Sequence, residues 1–225
     1  MITKFSNVKV GKISTEGSLI IDGNKQLFKD ALFFDLEHYI YKKPICIGVF
    51  GCCFYDEITN EIKVTQYMAE NKKDAIEILT LSKNYFEEMK IKYNKKYIVT
   101  FSGNNDFTVI NYLLKAHKID FLLEGYFGEI DLQKCYEKAE GKCIGLKTLE
   151  KIFEIDRESE LISGSNLAKT FGKIVKDDDY INRMPEEKKE KILLYNQQDV
   201  VSLFYMYVDW NNRIGLKTEE DITQQ

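Results

Sequence analysis

ALFFDLEHYI, residues 31–40, sets two acids, Asp35 and Glu37, in a run that is otherwise apolar and aromatic. The run is too short for a typical helix and rich in Phe and Leu, so it reads as a buried strand. Residues i and i+2 of a strand share a face, which projects Asp35 and Glu37 together and sends Leu36 to the other side. An unpaired carboxylate costs several kcal/mol to bury unless it shifts its pKa. Two on one face call for a neutralising partner, and a divalent cation is the economical one.

Two further segments repeat the pattern of acids among core-type residues. VTFSGNNDFTVINYLL, residues 99–114, carries Asp106 beyond a polar GNN bend, in or beside the first turn of a predicted helix. ILLYNQQDVVSLF, residues 192–204, carries Tyr195 and Asp199 at i and i+4, one turn apart on one helix face. Singly these read as a solvated strand edge, a helix cap and a surface pair. Their joint occurrence in this order points to one site.

Outward from these segments the chain alternates strands and helices. ICIGVFGCCFYDE (45–57) and EIKVTQYMA (61–69), separated by ITN, predict a hairpin beside the 31–39 strand. Helical spacing follows from Lys73 to about Tyr93, then a strand at 97–102, a helix carrying Asp106, and a strand around Ile130. Helices are expected at 131–140, 145–155 and 166–177, and a long last one starts at Met184-Pro185-Glu186-Glu187, where proline and acids suit a helix N-terminus. Residues 1–30, with KVGKI and GSLIIDG, are expected to form a hairpin or an extended lead-in. The expectation is an α/β domain with a mixed sheet of about five strands flanked by helices, over 31–214, with a tail at 215–225.

Bulk properties narrow the class. The 225 residues are 44% hydrophobic, enough for one sizeable core, and no interruption in composition divides them. No apolar run approaches the length of a membrane span, and the first residues lack a signal-peptide core, so a soluble, cytoplasmic protein is expected. Five cysteines with no CxxC pair indicate neither a disulfide framework nor a zinc knuckle, and read as inert thiols. A net charge of −4 advertises no general polyanion binder.

FFDLE, GNNDF and YNQQD together resemble the three motifs of the DnaQ-like exonucleases of the ribonuclease H-like superfamily, in the DEDD subtype whose third motif is Y-x-x-x-D. GLKTLEKIFEIDRESELISGSNLAKTF, residues 145–171, makes the YprB-like domains the most similar branch, and the resemblance spans about 31–210. It implies a ribonuclease H-like fold and a metal-dependent 3′–5′ exonuclease acting on DNA or RNA with two Mg²⁺ or Mn²⁺ ions. Asp35, Glu37, Asp106 and Asp199 would be the metal ligands, with Tyr195 orienting the attacking water. A nucleic-acid-binding domain of little activity and a ribonuclease H-like endonuclease are the alternatives.

The family often continues its first motif as E-T-T-G, whereas Glu37 is followed here by His38-Tyr39-Ile40, and Ser102 and Asn105 stand at altered places in the second motif. Candidate substrate contacts are Lys42, Lys43, Lys147, Lys151, Lys169 and Lys173 for phosphates, and Tyr39, Tyr41 and Phe107 for base stacking. Asp131, before a predicted helix, reads as its cap.

Overall fold

The computed structural model describes residues 1–157 and 164–214. The expected tail at 215–225 lies outside the described residues, as does part of the 145–171 segment. Six strands form one sheet: β1 (Ile2–Lys9), β2 (Ala31–Tyr41), β3 (Lys43–Asp56), β4 (Glu61–Met68), β5 (Tyr97–Thr100) and β6 (Gly128–Asp131). Their order across the sheet is β1-β4-β3-β2-β5-β6. β1 to β4, β4 to β3 and β3 to β2 are antiparallel, and β2 to β5 and β5 to β6 are parallel. The sheet is therefore mixed, as expected, with one strand more.

The extra strand comes from the first 30 residues, where the extended alternative forms rather than a local hairpin. Ile2–Lys9 is extended but pairs with β4, some sixty residues on, and GSLIIDG contributes only an isolated bridge between Ile21 and Asn24. The alternation in ITKFSNVK marks a strand, and local pattern cannot name a partner so distant in sequence.

The β3–β4 hairpin closes as its turn chemistry predicts. The Asp56 carboxylate accepts from Ile58 N and Thr59 Oγ1 at 3.0 and 3.1 Å, and Asn60 takes the left-handed conformation at φ 52°. Helices α1 (Lys72–Ile91) and α2 (Asn104–Ala116) cover one face of the sheet, where Phe34 packs 5.5 Å from Phe86 and 6.4 Å from Phe107, ring to ring. α3 (Leu132–Glu140), α4 (Leu146–Ile152), α5 (Gly164–Ile174) and α6 (Glu186–Val208) follow, with α7 (Trp210–Arg213) short and last. α6 lies on the opposite face, where Phe33 meets Phe204 and Tyr207 edge-on at 5.4 and 6.1 Å.

That opposition places the site. β2 side chains alternate, so Leu32, Phe34 and Leu36 enter the core under α1 and α2 while Phe33, Asp35 and Glu37 face α6. α6 runs against β2, so that Phe204 sits on Phe33 and Asn196 and Asp199 come level with Asp35. Among the described residues no helix is long and apolar enough to cross a membrane.

Candidate functional site

Asp35, Glu37 and Asp199 each offer a carboxylate oxygen to a group whose members all lie within 4.8 Å of one another. β2 supplies two of them by strand alternation and α6 supplies the third across the sheet face. Glu37 and Asp199 are buried, at 8% and 4% exposure, and Asp35 is half-buried. Three carboxylates this close repel. Burial, reinforced by the charge of Asp199, pushes Asp35 up to about 7. Burial and the charges of Asp35 and Asp199 likewise raise Glu37 well above the usual carboxylate range.

Asp106, in the first turn of α2, is buried beside this group but outside it. Burial and the charges of Asp35 and Asp131 raise its pKa, and its Oδ1 stands 3.7 Å from Nδ1 of His38. Burial holds that imidazole towards its neutral form. Asp131 caps α3 as expected, accepting from Gln133 N at 3.0 Å. The same oxygen accepts from Ser102 N at 2.9 Å, where the backbone is left-handed at φ 58°, and so fixes the bend that delivers Asp106.

Tyr195 is buried against the acids. Burial first, then the charges of Asp199 and Glu37, raise its phenol above its ordinary value, so the hydroxyl stays protonated and acts as a donor. Its neighbour Asn196, fully buried, was not singled out by sequence. Asn196 Nδ2 donates to Asp35 Oδ2 at 3.1 Å, and its Oδ1 accepts from Gln66 Nε2 at 2.8 Å. Gln66 also donates to Leu193 O at 2.8 Å, which ties the chain of amides to α6 itself. Gly51, opposite Asp35 in the β2–β3 register, makes room, since a Cβ there would lie 2.0 Å from Asn196 Oδ1.

Two cations enter from beyond α3. Lys147 Nζ, in the first turn of α4, donates to Asp199 Oδ1 at 2.7 Å and lies 4.4 Å from the centre of the Tyr195 ring. Arg157, 8% exposed, bonds the same Asp199 oxygen and forks onto Glu150, with Nε 2.8 Å from Oε2. Glu150, at 2% exposure on α4, is a buried acid that sequence reasoning passed over. The signal available was GLKTLE itself, where Lys147 and Glu150 stand at i and i+3 on a helix face. Of the proposed base-stacking aromatics, Phe107 is corrected to a core residue, because α2 turns it onto Phe34. The cysteines are all free: Cys46, Cys52 and Cys53 are buried, Cys135 is half-buried and Cys143 is exposed.

The donor set of three clustered carboxylates, with neither thiolate nor imidazole among them, fits a hard divalent cation such as Mg²⁺ or Mn²⁺. Residues 32–211 match the RNase_H superfamily, and the chain belongs to that family. No curated protein sequence matches the chain. The family places it among domains that act on or bind nucleic acid and usually use divalent metals.

Proposed function

We propose that the protein is a metal-dependent 3′–5′ exonuclease that hydrolyses phosphodiester bonds of DNA or RNA. The observation that carries this reading is the convergence of Asp35, Glu37 and Asp199 within 4.8 Å on one face of the sheet, with Tyr195 one helical turn from Asp199. Asp35, Glu37 and Asp199 would hold one Mg²⁺ or Mn²⁺ ion, and Asp35 with Asp106 would help to hold a second. Bound there, such a pair supplies Lewis acidity and charge neutralisation for an in-line displacement at phosphorus.

The chain's own residues do the rest. Asn196 holds Asp35 through its amide and keeps that carboxylate turned to the cluster. Tyr195, a protonated donor, is suited to orienting a water rather than taking its proton. The Y-x-x-x-D pair supports the exonuclease branch through the resemblance of the three ordered motifs.

Labelled single strands of DNA and RNA, each with a free or a blocked 3′ end, test the reading in Mn²⁺. Stepwise shortening from the free end and stalling on the blocked one are expected, whereas equal internal cutting of both would move the assignment to an endonuclease. The position of Asp106, outside the acidic group and facing His38, favours a second reading in which the domain binds nucleic acid and cuts little. Binding of a strand that persists intact would support that reading.

A further inference from the structure

The proposed metal ligands are not alone with one another. Asp199 Oδ1 is shared by two cations of different character. Arg157 is nearly buried, and its fork grips Glu150, itself buried, so the guanidinium is fixed from two sides. A planar fork on a carboxylate is the geometry that arginine holds best. Lys147 is about a third exposed, meets Asp199 through one 2.7 Å contact, and has weaker second partners in Glu150 at 3.9 Å and the Tyr195 ring, whose centre is 4.4 Å away. Its flexible stem leads to solvent, so its ammonium can leave without opening the core.

We infer that Lys147 is an exchangeable counter-ion, which an incoming divalent cation displaces from Asp199, and that Glu150 keeps Arg157 beside the same carboxylate as a permanent one. Both are positioning residues acting through Asp199. The inference rests on the metal-dependent reading and specifies how access of the ion to that site is regulated. Three carboxylates left without a positive neighbour would repel one another across the gap between β2 and α6. Lys147 relieves this before the ion arrives, and at the same time it competes with the ion for the Asp199 oxygen. The affinity of the site for metal is then set partly by a side chain that is not a ligand.

Isothermal titration of the full chain with MnCl₂ near neutral pH tests this without reference to turnover. Lys147→Met should bind Mn²⁺ roughly tenfold more tightly than the native chain, the scale expected when one competing charge is removed within a few ångströms of a semi-exposed site. Lys147→Arg, which restores the charge, should return the affinity to near the native value. Lys142→Met, which removes an equal charge from an exposed position outside the network, should leave affinity within about twofold, because exposed charges at longer range are screened. Glu150→Gln should act in the opposite direction and weaken Mn²⁺ binding, since Arg157 then has Asp199 as its one carboxylate. Melting curves of each variant report whether it folds.

Unchanged or weaker Mn²⁺ binding by folded Lys147→Met overturns the exchange, and so does an equal gain in Lys142→Met. Unchanged or tighter binding by folded Glu150→Gln overturns the role given to Arg157. A native chain that binds no Mn²⁺ overturns the metal-dependent reading itself and this inference with it.

Discussion

Tyr195 and Asn196 are adjacent in sequence and do different work. Burial first, then the charges of Asp199, Glu37 and Asp35, keep the Tyr195 phenol protonated. Tyr195→Phe should therefore fold normally, bind Mn²⁺ as the native chain does, and lose about 10- to 100-fold in kcat, the penalty for a misplaced reactant. Full activity of the metal-saturated variant would remove the hydroxyl from the mechanism. Asn196→Ala should instead reduce stability, because it takes the amide donor from Asp35 and leaves Gln66 Nε2 with Leu193 O alone; a buried polar group that loses its partner costs about 1–3 kcal/mol. Urea denaturation of the two variants separates these outcomes. Sequence showed Tyr195 because its spacing to Asp199 is a helical pair. It did not show Asn196, whose importance depends on a glycine opposite Asp35 on a neighbouring strand.

At the level of elements, the two segments that build the site were legible for different reasons. β2 could be read from its composition and its acids' common face from strand alternation, and α6 from its start signal and its i, i+4 pair. What pattern alone left open was the contact between them, which depends on α6 running against β2 with Phe204 seated on Phe33. Close approach of the two is made possible at β3, where Gly51 accepts the Asn196 amide and Gly48 lies under the Phe171 ring of α5. Gly51→Ala should push Asn196 off Asp35. A loss of at least about 2 kcal/mol is expected by thermal or chemical denaturation, in the range for overpacking. A variant as stable as the native chain would mean that α6 can shift freely, contrary to its amide ties. β1 was legible as a strand and illegible as an edge, since its partner β4 is brought beside it only by the whole sheet.

For the whole molecule, the raised carboxylates make stability depend on pH in a direction opposite to that of ordinary surface acids. Asp35 is near 7 in the fold and near 3.9 in an unfolded chain, so between these values the native state holds the extra proton. Without divalent ions, stability should be fully present below about pH 4 as far as this group is concerned, and should fall as pH rises towards 7, with Glu37 adding in the same sense. Other titrating groups are superposed on this slope. A divalent ion takes the ionised form and releases those protons, so the rise in Tm on adding Mn²⁺ should grow between pH 5 and pH 8. At a hundredfold excess over Kd the gain is about 2.7 kcal/mol. A Tm gain that is flat or shrinks across this interval would show that the acids are not the ion's ligands.

Glu150 has a consequence for charge stoichiometry. Glu150 answers the Arg157 guanidinium charge for charge within the buried fork. Once Lys147 has left, that neutral pair sets no net positive charge against an incoming ion, and the charge of the ion falls to the remaining acids alone to match. A buried acid that touches neither ion nor substrate thus hides a fixed cation from the site.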